Sequence, residues 1–301
     1  MSAFEHLGIK PSRLYIPHDQ NFMGKRLIEF LASHFSHISV EQWQQRFAQG
    51  LISLASGEKL AMDAPYLSGE TIVYYRHVEN EPIIPFEPRI LYMDEHLLVV
   101  DKPHFLPVIP TGRYVSQTLL AKLRRHPKLQ SLNVNDISPI HRLDKDTAGV
   151  MLLSINPQSR AAYQGLFEKK QVQKTYEAIA PTRTDLTYPL TVQSRLVRGE
   201  KFFLTQTVTG APNSQTTIEL LHNFGAFSKY RLTPLTGKKH QLRVHMASLN
   251  MPLMHDSFYP IVQPPSVTDF SKPLKLLAKS IAFVDPITQQ NRHFDSGLTL
   301  D

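Results

Sequence analysis

A polar stretch of ten residues, 141–150, runs directly into the short apolar segment 150–153. The apolar segment is rich in branched side chains and is typical of a buried strand. The polar stretch contains a histidine, an arginine, two aspartates, a threonine and a glycine. We therefore predict a loop at the mouth of a strand, where a sheet holds exposed functional groups, and Gly149 permits the tight turn into that strand.

Charge is distributed unevenly along the chain. Residues 1–86 contain 7 Lys and Arg against 9 Asp and Glu, whereas residues 87–301 contain 26 against 17, and the net charge of the whole chain is +7. A basic surface on the larger part favours a polyanionic partner, with RNA or DNA ahead of a membrane surface. A basic surface kept for solubility is the alternative.

Composition excludes several classes of protein. The chain has no cysteine, which rules out disulfides, thiol catalysis and cysteine metal sites and fits a reducing cytosol. Residues 1–6 lack the basic and apolar regions of a signal peptide, and no apolar run approaches the ~18 residues of a membrane span. We expect a cytoplasmic monomer without membrane contact.

The first part of the chain predicts a small separate module. After an extended arm, Leu27, Phe30, Leu31 and Phe35 form one apolar helical stripe. Ser39 and Gln42 predict a capped second helix, and short strands follow at 51–54 and 71–75. Over residues 24–78 this pattern resembles an S4-type RNA-binding module. Because the segment is net acidic, an accessory domain that does not touch RNA is an equal interpretation.

Residues 79–88 contain three prolines and three glutamates and predict a stiff linker. We therefore expect two domains, residues 1–86 and residues 87–301. The second domain shows many strands and few helices. Its strands include a hairpin over 90–103, and residues 172–180 alternate with Lys174 and Tyr176 on one face. The predicted fold is α+β, with a mixed, largely antiparallel sheet, helices on its faces and the cleft at the sheet.

Helices in this domain are predicted over residues 116–126 and 159–170, and the first has a basic face that we expect to be solvated. The spacing of Leu242, Met246 and Leu249 predicts a further helix that ends at Asn250. His240 and His245 flank its start, but no carboxylate is spaced as in a metalloprotease motif, so no metal site is predicted.

Three polar blocks occur in order: His-Arg-Leu-Asp-x-x-Thr-x-Gly at 141–149, Lys-x-Tyr at 174–176, and Gly-x-x-His-Gln-Leu-Arg-x-His at 237–245. The hairpin ending in Lys-Pro precedes them, and a strand followed by Asp-Pro closes the series. The first block alone would also fit a surface turn with an ion pair of little value. Together, over residues 88–297, they resemble the RluA-type pseudouridine synthases.

The resemblance implies that Asp144 is a nucleophile and that Arg243 is the ion-pair partner that keeps it charged against desolvation. It implies that Tyr176 lies over the uracil and assists proton transfer. Arg142 is expected to insert where the flipped uridine leaves its helix. The residues expected to bind substrate are His141, Arg142, Lys174 and Leu242. Asp146 is interpreted as a structural or supporting residue, and Thr147 as bonding within the turn.

The implied activity is the isomerisation of specific uridines in structured RNA, ribosomal or transfer, without a cofactor. Two other functions stay open at this point. One is a non-catalytic RNA-binding or ribosome-assembly factor on the same fold. The other is a glycosidase using Asp144 and Asp146, although two residues apart in one turn they could hardly flank a sugar from opposite sides.

Four positions depart from the family's usual residues. Ala148 stands where Ser is usual, Lys238 where Arg is usual, and Leu277 where His is usual. His255 stands where Gly is common before Asp256. None of these departures removes Asp144, Tyr176 or Arg243, so we expect activity, and the departures bear on which substrate is chosen.

Overall fold

The computed structural model of the chain describes residues 8–76, 78, 80–264 and 268–300. The start of the predicted arm and Glu79 of the predicted linker lie outside the described residues. The chain folds into two compact units, one running to Pro82 and including Thr111–Ser116, the other comprising Ile83–Pro110 and Gln117 onwards. The domain boundary at 86/87 stays a prediction. Each helix formed by the described residues is too short or too polar to cross a membrane.

The first unit combines two helices with a three-stranded antiparallel sheet of order β1-β3-β2. The predicted cap of the second helix is confirmed, because the Ser39 hydroxyl accepts from the Gln42 amide and the Gln42 side chain accepts from the Ser39 amide. Trp43 and Phe47 of that helix are buried in the unit's core. Its elements are β1 (Ser12–Tyr15), α1 (Leu27–His34), α2 (Val40–Ala48), β2 (Ile52–Leu54) and β3 (Thr71–Tyr74).

The second unit is organised around one large sheet. Its elements are β4 (Arg89–Met93), β5 (Leu97–Lys102), α3 (Leu119–Arg124), β6 (Ser138–Pro139), β7 (Ala148–Ser154), α4 (Arg160–Glu168), β8 (Gln173–Pro181), β9 (Leu190–Arg198), β10 (Thr205–Val208), β11 (Ser214–Asn223), β12 (Phe227–Pro234), α5 (Gln241–Ser248), β13 (Leu276–Val284) and β14 (Asn291–Asp295). The strand order is β10-β9-β11-β12-β8-β13-β7-β5-β4, with β14 paired to β13 and β6 to β7.

The predicted mixed, largely antiparallel sheet is confirmed. Strand β13 pairs parallel with β7, and the other pairs formed by the described strands are antiparallel. Strands β5 and β7 are buried at every position, which explains why residues 97–100 and 150–153 form continuous apolar runs instead of alternating ones. The polar loop over 141–147 therefore opens into an interior strand that is held by neighbours on both sides.

Gly149 is required by the close approach of two strands. Its φ is +114°, and a Cβ atom built there would collide with the backbone of Ala278 on β13. Only glycine accepts this combination of backbone angle and contact without strain. The glycine therefore allows β13 to pack beside the start of β7, where the polar loop ends.

The basic face of α3 departs from the prediction. Lys122 is 6% exposed, and its ammonium donates to the Ile84 carbonyl at 3.0 Å and to the Glu87 carboxylate at 2.5 Å. The expectation of a solvated basic face is therefore wrong for this residue. The helical period identified which residues share a face but not which face meets the rest of the unit.

Candidate active site

A cleft of about 600 Å³ opens between the polar loop, strand β8 and the start of α5. The lining of this cleft includes every residue that the sequence predicted for the site: His141, Arg142, Asp144, Lys174, Tyr176, Leu242 and Arg243. The first and last of these lie about a hundred positions apart in the chain. The central sheet brings them together, because β7 and β8 both pair with β13.

Asp144 lies between a neutral group and a cation. Its Oδ1 is 3.8 Å from Nε2 of His240, and its Oδ2 is 4.0 Å from Nη1 of Arg243. Burial raises the pKa of Asp144, while Arg243, Arg142 and Lys102 act in the opposite direction. Lys239 also lowers it, and the net shift is upward, so burial outweighs all four cations.

Arg243 makes its direct hydrogen bonds to Asp256 and forms a longer ion pair with Asp144, at 4.0 Å. Nε and Nη2 donate to the two carboxylate oxygens of Asp256 at 2.8 and 2.5 Å, and both side chains are 1% exposed. The guanidinium also lies over the rings of Phe258 and Tyr259, 4.9 and 5.4 Å from their centroids. The bidentate pair fixes the guanidinium plane and leaves Nη1 directed at Asp144.

A buried lysine ties the polar loop to the end of β5. Lys102 is fully buried, and its ammonium donates to the carbonyls of Pro103, Leu106 and Lys145 at 2.9, 2.9 and 3.0 Å. Burial lowers its pKa to about 7, whereas three carbonyl acceptors favour the ammonium form with its three protons. Because Lys145 follows Asp144 directly, this lysine holds the backbone beside the predicted nucleophile.

Strand β8 and the start of α5 contribute Tyr176, Lys174 and Leu242 to the cleft lining. Burial, and then the negative charge of Asp144, raise the pKa of Tyr176, so its hydroxyl stays protonated at neutral pH. Lys174 donates to the Thr236 carbonyl at 3.3 Å, and burial lowers its pKa. Leu242, only 7% exposed, adds an apolar surface at the start of α5.

His141 and Arg142 have different surroundings although they are adjacent. Nε2 of His141 accepts a hydrogen bond from the Leu152 amide at 2.9 Å, and its ring stacks on Phe167 at 4.7 Å. Burial lowers the pKa of His141 to about 3, so this histidine is neutral and supports the loop. Its contact with substrate stays a prediction. Arg142 is exposed at the cleft and is placed to meet a ligand.

Two of the departures from the family pattern are neighbours in space. Ala148 on β7 and Leu277 on β13 are register partners in the parallel pair. Both are fully buried, in one apolar cluster with Ile179 and Leu300. With an apolar side chain at both positions, neither leaves a buried polar group without a partner. Neither residue is part of the cleft lining.

The other two departures have local explanations. Lys238 lines the cleft and keeps the positive charge that arginine would supply. His255 has a φ of +62°, the left-handed region in which glycine is favoured. Its Nδ1–H donates to the Pro273 carbonyl at 3.1 Å.

Three important residues were not predicted for the site: His240, Asp256 and Lys102. His240 has a φ of +54° and precedes α5, a conformation that a helical period does not reveal. Asp256 precedes an aromatic pair in a loop, a pattern without a general chemical meaning. Lys102 was noticed only as the end of a hairpin. A buried strand that ends in lysine was the one available signal, because buried lysine requires acceptors.

Comparison with known proteins identifies one family. A protein-family model described as RNA pseudouridylate synthase matches residues 96–248, just over half of the chain's 301 residues. The uncharacterized RNA pseudouridine synthase slr1592 of Synechocystis is 26% identical over 77% of this chain and 79% of its own length. Ribosomal large subunit pseudouridine synthase D of Escherichia coli K12 is 28% identical over 80% of this chain and 74% of its own length.

Further relatives extend the comparison. The mitochondrial tRNA pseudouridine(32) synthase of Saccharomyces cerevisiae is 25% identical over 80% of this chain, which spans about half (51%) of the yeast protein. The solved structure of human RNA pseudouridylate synthase domain containing 1 has a TM-score of 0.56 at 21% identity, covering 71% of this chain and 85% of the human chain. The solved structure of human RNA pseudouridylate synthase domain containing 4 has a TM-score of 0.53 at 24% identity, covering 71% of this chain and 88% of the human chain. These two structures support the fold alone.

Proposed function

The chain belongs to the RNA pseudouridylate synthase family, and from this premise we propose that Asp144 acts as the nucleophile that isomerises specific uridines of structured RNA. The reaction breaks the N-glycosidic bond of uridine, turns the base and rejoins it through carbon. Substrate and product are isomers, so the reaction consumes no electron or group donor. The chain must supply a nucleophile, a proton acceptor and access to a stacked base.

The observation that carries the proposal is the position of Asp144 in the cleft, 4.0 Å from Arg243 and 3.8 Å from His240. A carboxylate is a competent nucleophile only when ionised, and burial opposes ionisation here. Arg243 counters burial, and Asp256 holds Arg243 so that its charge stays directed at the nucleophile. These contacts support Asp144 as the reacting group.

Tyr176 and Leu242 are proposed to hold the uracil ring. Both line the cleft near Asp144, and together they offer an aromatic face and an apolar contact from which water is excluded. Because the pKa of Tyr176 is raised, its hydroxyl takes part in proton transfer as a neutral group and not as a phenolate. Lys174, half-buried on the same strand, favours negative charge on the substrate.

The size of the cleft supports recognition of a single flipped nucleotide. About 600 Å³ is within the range of small-ligand sites and is too small for a duplex. The target uridine must therefore leave its stack before it reaches Asp144. Arg142, exposed beside the cleft, is proposed to fill the vacated position with its planar guanidinium, which both stacks and binds phosphate.

Structured RNA is the proposed partner, with ribosomal and transfer RNA as the two classes suggested by the names of the relatives. Cations outnumber carboxylates in the cleft lining. The carboxylates are Asp144 and Glu168, and the cations are Arg142, Lys170, Lys174, Lys238 and Arg243. RNA affinity should therefore fall when salt is raised from about 50 to 200 mM, because phosphate contacts release counterions. Salt-independent binding would contradict these contacts.

The proposal extends to the oligomeric state, the location and the first unit. The protein is proposed to act as a monomer, since one chain carries all seven predicted site residues in a single cleft. The absence of cysteine supports a cytoplasmic location. The first unit, with its two helices and small sheet, is proposed to be an S4-like module that contributes to RNA binding. Deleting residues 1–78 would test the last point, with retained affinity as the contradicting result.

Pseudouridine mapping tests the proposed function. Total RNA is mapped with and without the gene, and the deficient cells are then complemented with the wild-type or the Asp144→Ala protein. The wild type should restore at least one site, and the variant should restore none. Equal restoration by both would refute the assignment of Asp144. RNA binding without any lost site would favour the non-catalytic alternative.

A further inference from the structure

A chain of hydrogen bonds runs from the backbone of β10 to the imidazole beside Asp144. The Thr205 amide donates to the Tyr259 hydroxyl at 2.8 Å, and that hydroxyl lies 2.8 Å from Nδ1 of His240. On the far side of the ring, Nε2 of His240 faces Oδ1 of Asp144 at 3.8 Å. His240 and Tyr259 are 8% and 9% exposed, so this chain is almost closed to solvent.

The order of donors along this chain favours one position for the proton of the histidine. The Tyr259 oxygen already accepts from Thr205, and burial raises the pKa of Tyr259, so the phenol keeps its proton and can donate it to Nδ1. A neutral imidazole that accepts at Nδ1 carries its own proton on Nε2. The opposite tautomer would place the Nε2 lone pair against a carboxylate oxygen, which is repulsive.

Neutral histidine is the form that these surroundings favour. Burial lowers the pKa of His240 to about 3, so the ring is uncharged at neutral pH. The charged groups around it are the cations Arg243, Lys239 and Arg142 and the carboxylates Asp256 and Asp144. The three cations oppose a second positive charge next to Arg243.

Resting on the proposed function, we propose that Tyr259 and His240 form a positioning relay that presents a neutral Nε2–H donor to Asp144. The two oxygens of the nucleophile then have different partners. Oδ2 lies near the charge of Arg243, and Oδ1 lies near the Nε2–H group of His240. The distance of 3.8 Å exceeds a hydrogen bond. The relay therefore requires Nε2 of His240 and Oδ1 of Asp144 to approach each other when substrate binds.

The relay predicts a pH effect on Asp144, whose other charged or titratable neighbours are Arg243, Arg142, Lys102, Lys239 and Tyr176. A donor to the ionised carboxylate lowers its pKa. Removing that donor therefore moves the acid limb of the rate profile to higher pH. A residue that only supports the fold would not move this limb.

His240→Gln and His240→Asn form a matched pair for the test. The glutamine amide nitrogen can occupy the position of Nε2, whereas the asparagine amide reaches only the position of Nδ1. Asparagine also tolerates the left-handed backbone at residue 240. Single-turnover rates are measured against pH for both variants and for Tyr259→Phe, with thermal unfolding as the control.

The glutamine variant should stay within about tenfold of the wild-type rate and keep its acid limb. The asparagine variant should be roughly 10- to 100-fold slower, the effect of one hydrogen bond to a charged group, with its acid limb at higher pH. The Tyr259→Phe variant should also have its acid limb at higher pH than the wild type. Equal losses in the glutamine and asparagine variants, or an unshifted limb in the asparagine variant, would overturn the relay.

Nuclear magnetic resonance of the ¹⁵N-labelled full chain separates this proposal from the proposed function. His240 should show a protonated Nε2 and an unprotonated Nδ1 at neutral pH in the wild type. A protonated Nδ1 would overturn the relay even if the enzyme makes pseudouridine. The expected tautomer in a protein that makes none would instead leave the relay geometry in place and remove the proposed function.

Discussion

Arg243 is bound to Asp256 by two hydrogen bonds, of 2.8 and 2.5 Å, although the group it is expected to serve chemically, Asp144, lies 4.0 Å away. Asp256 is 1% exposed and lies in the loop that follows α5. One carboxylate therefore holds the arginine while the other remains available to substrate. We therefore predict that Asp256 contributes both to the stability of the folded protein and to the rate of the reaction.

Asp256→Asn should reduce both properties. The amide keeps the shape but removes the charge, which leaves a buried guanidinium without an anionic partner in direct contact. Breaking a buried ion pair in this way costs about 3–5 kcal/mol in the free energy of unfolding. Turnover should also fall, because Arg243 is less firmly directed at Asp144. Denaturant unfolding and single-turnover rates measure the two effects, and a variant with wild-type stability would contradict the role of Asp256.

The rate should depend on pH through Asp144. Its pKa lies above the ordinary value of 3.8 because burial disfavours the carboxylate. The nucleophile must be ionised. The rate therefore falls as the pH drops through this raised pKa and reaches its full value at pH values above it. A plot of log rate against pH should bend downward at a midpoint above 3.8, while circular dichroism shows that the fold persists. A level rate down to about pH 4, the ordinary range of an aspartate, would contradict the raised pKa.

Tyr176 should prove more important for turnover than for RNA binding. Tyr176→Phe keeps the ring over the base but removes the hydroxyl, so the RNA dissociation constant should stay near that of the wild type. Turnover should fall by ~10²- to 10⁴-fold, the range for a group that assists proton transfer. Tyr176→Leu, which also removes the ring, serves as the comparison. Wild-type turnover in the phenylalanine variant would reduce Tyr176 to a packing role.

The pair Ala148 and Leu277 predicts energetic coupling across β7 and β13. Leu277→His alone buries an imidazole in an apolar cluster and should cost about 1–3 kcal/mol of stability. Adding Ala148→Ser supplies a hydrogen-bond partner at the register position. The double variant should be more stable than the sum of the single changes by at least ~0.5 kcal/mol. Strict additivity in denaturant unfolding would show that the two positions are independent.

Much of the fold was predictable because its strongest signals are local. The apolar run after residue 149 predicted β7, alternation over 172–180 predicted β8, and the spacing of Leu242 and Met246 predicted α5. The predicted cap at Ser39 is also confirmed. In each case a period or a cap is written in consecutive residues, and packing did not override it.

The surroundings of the cleft were less predictable because they depend on loops and on long-range pairing. The sequence identified Asp144, Tyr176 and Arg243 through ordered blocks, and the structure brings all three into one cleft. It did not assign Asp256, because the carboxylate reaches Arg243 only after the chain folds back from α5. It did not reveal the orientation of His240 either, since a left-handed residue leaves no periodic trace.

The most direct test of the account is the single-turnover rate of Asp144→Asn on total RNA from cells that lack the gene. The amide preserves shape and removes the nucleophile. Because the carboxylate pKa is raised, its charge costs stability at neutral pH, so the variant should unfold at an equal or higher temperature.

Pseudouridine formation should then fall by ~10⁴-fold or more, with RNA affinity unchanged. A variant that forms pseudouridine within about tenfold of the wild-type rate would contradict the assignment of Asp144 as the nucleophile.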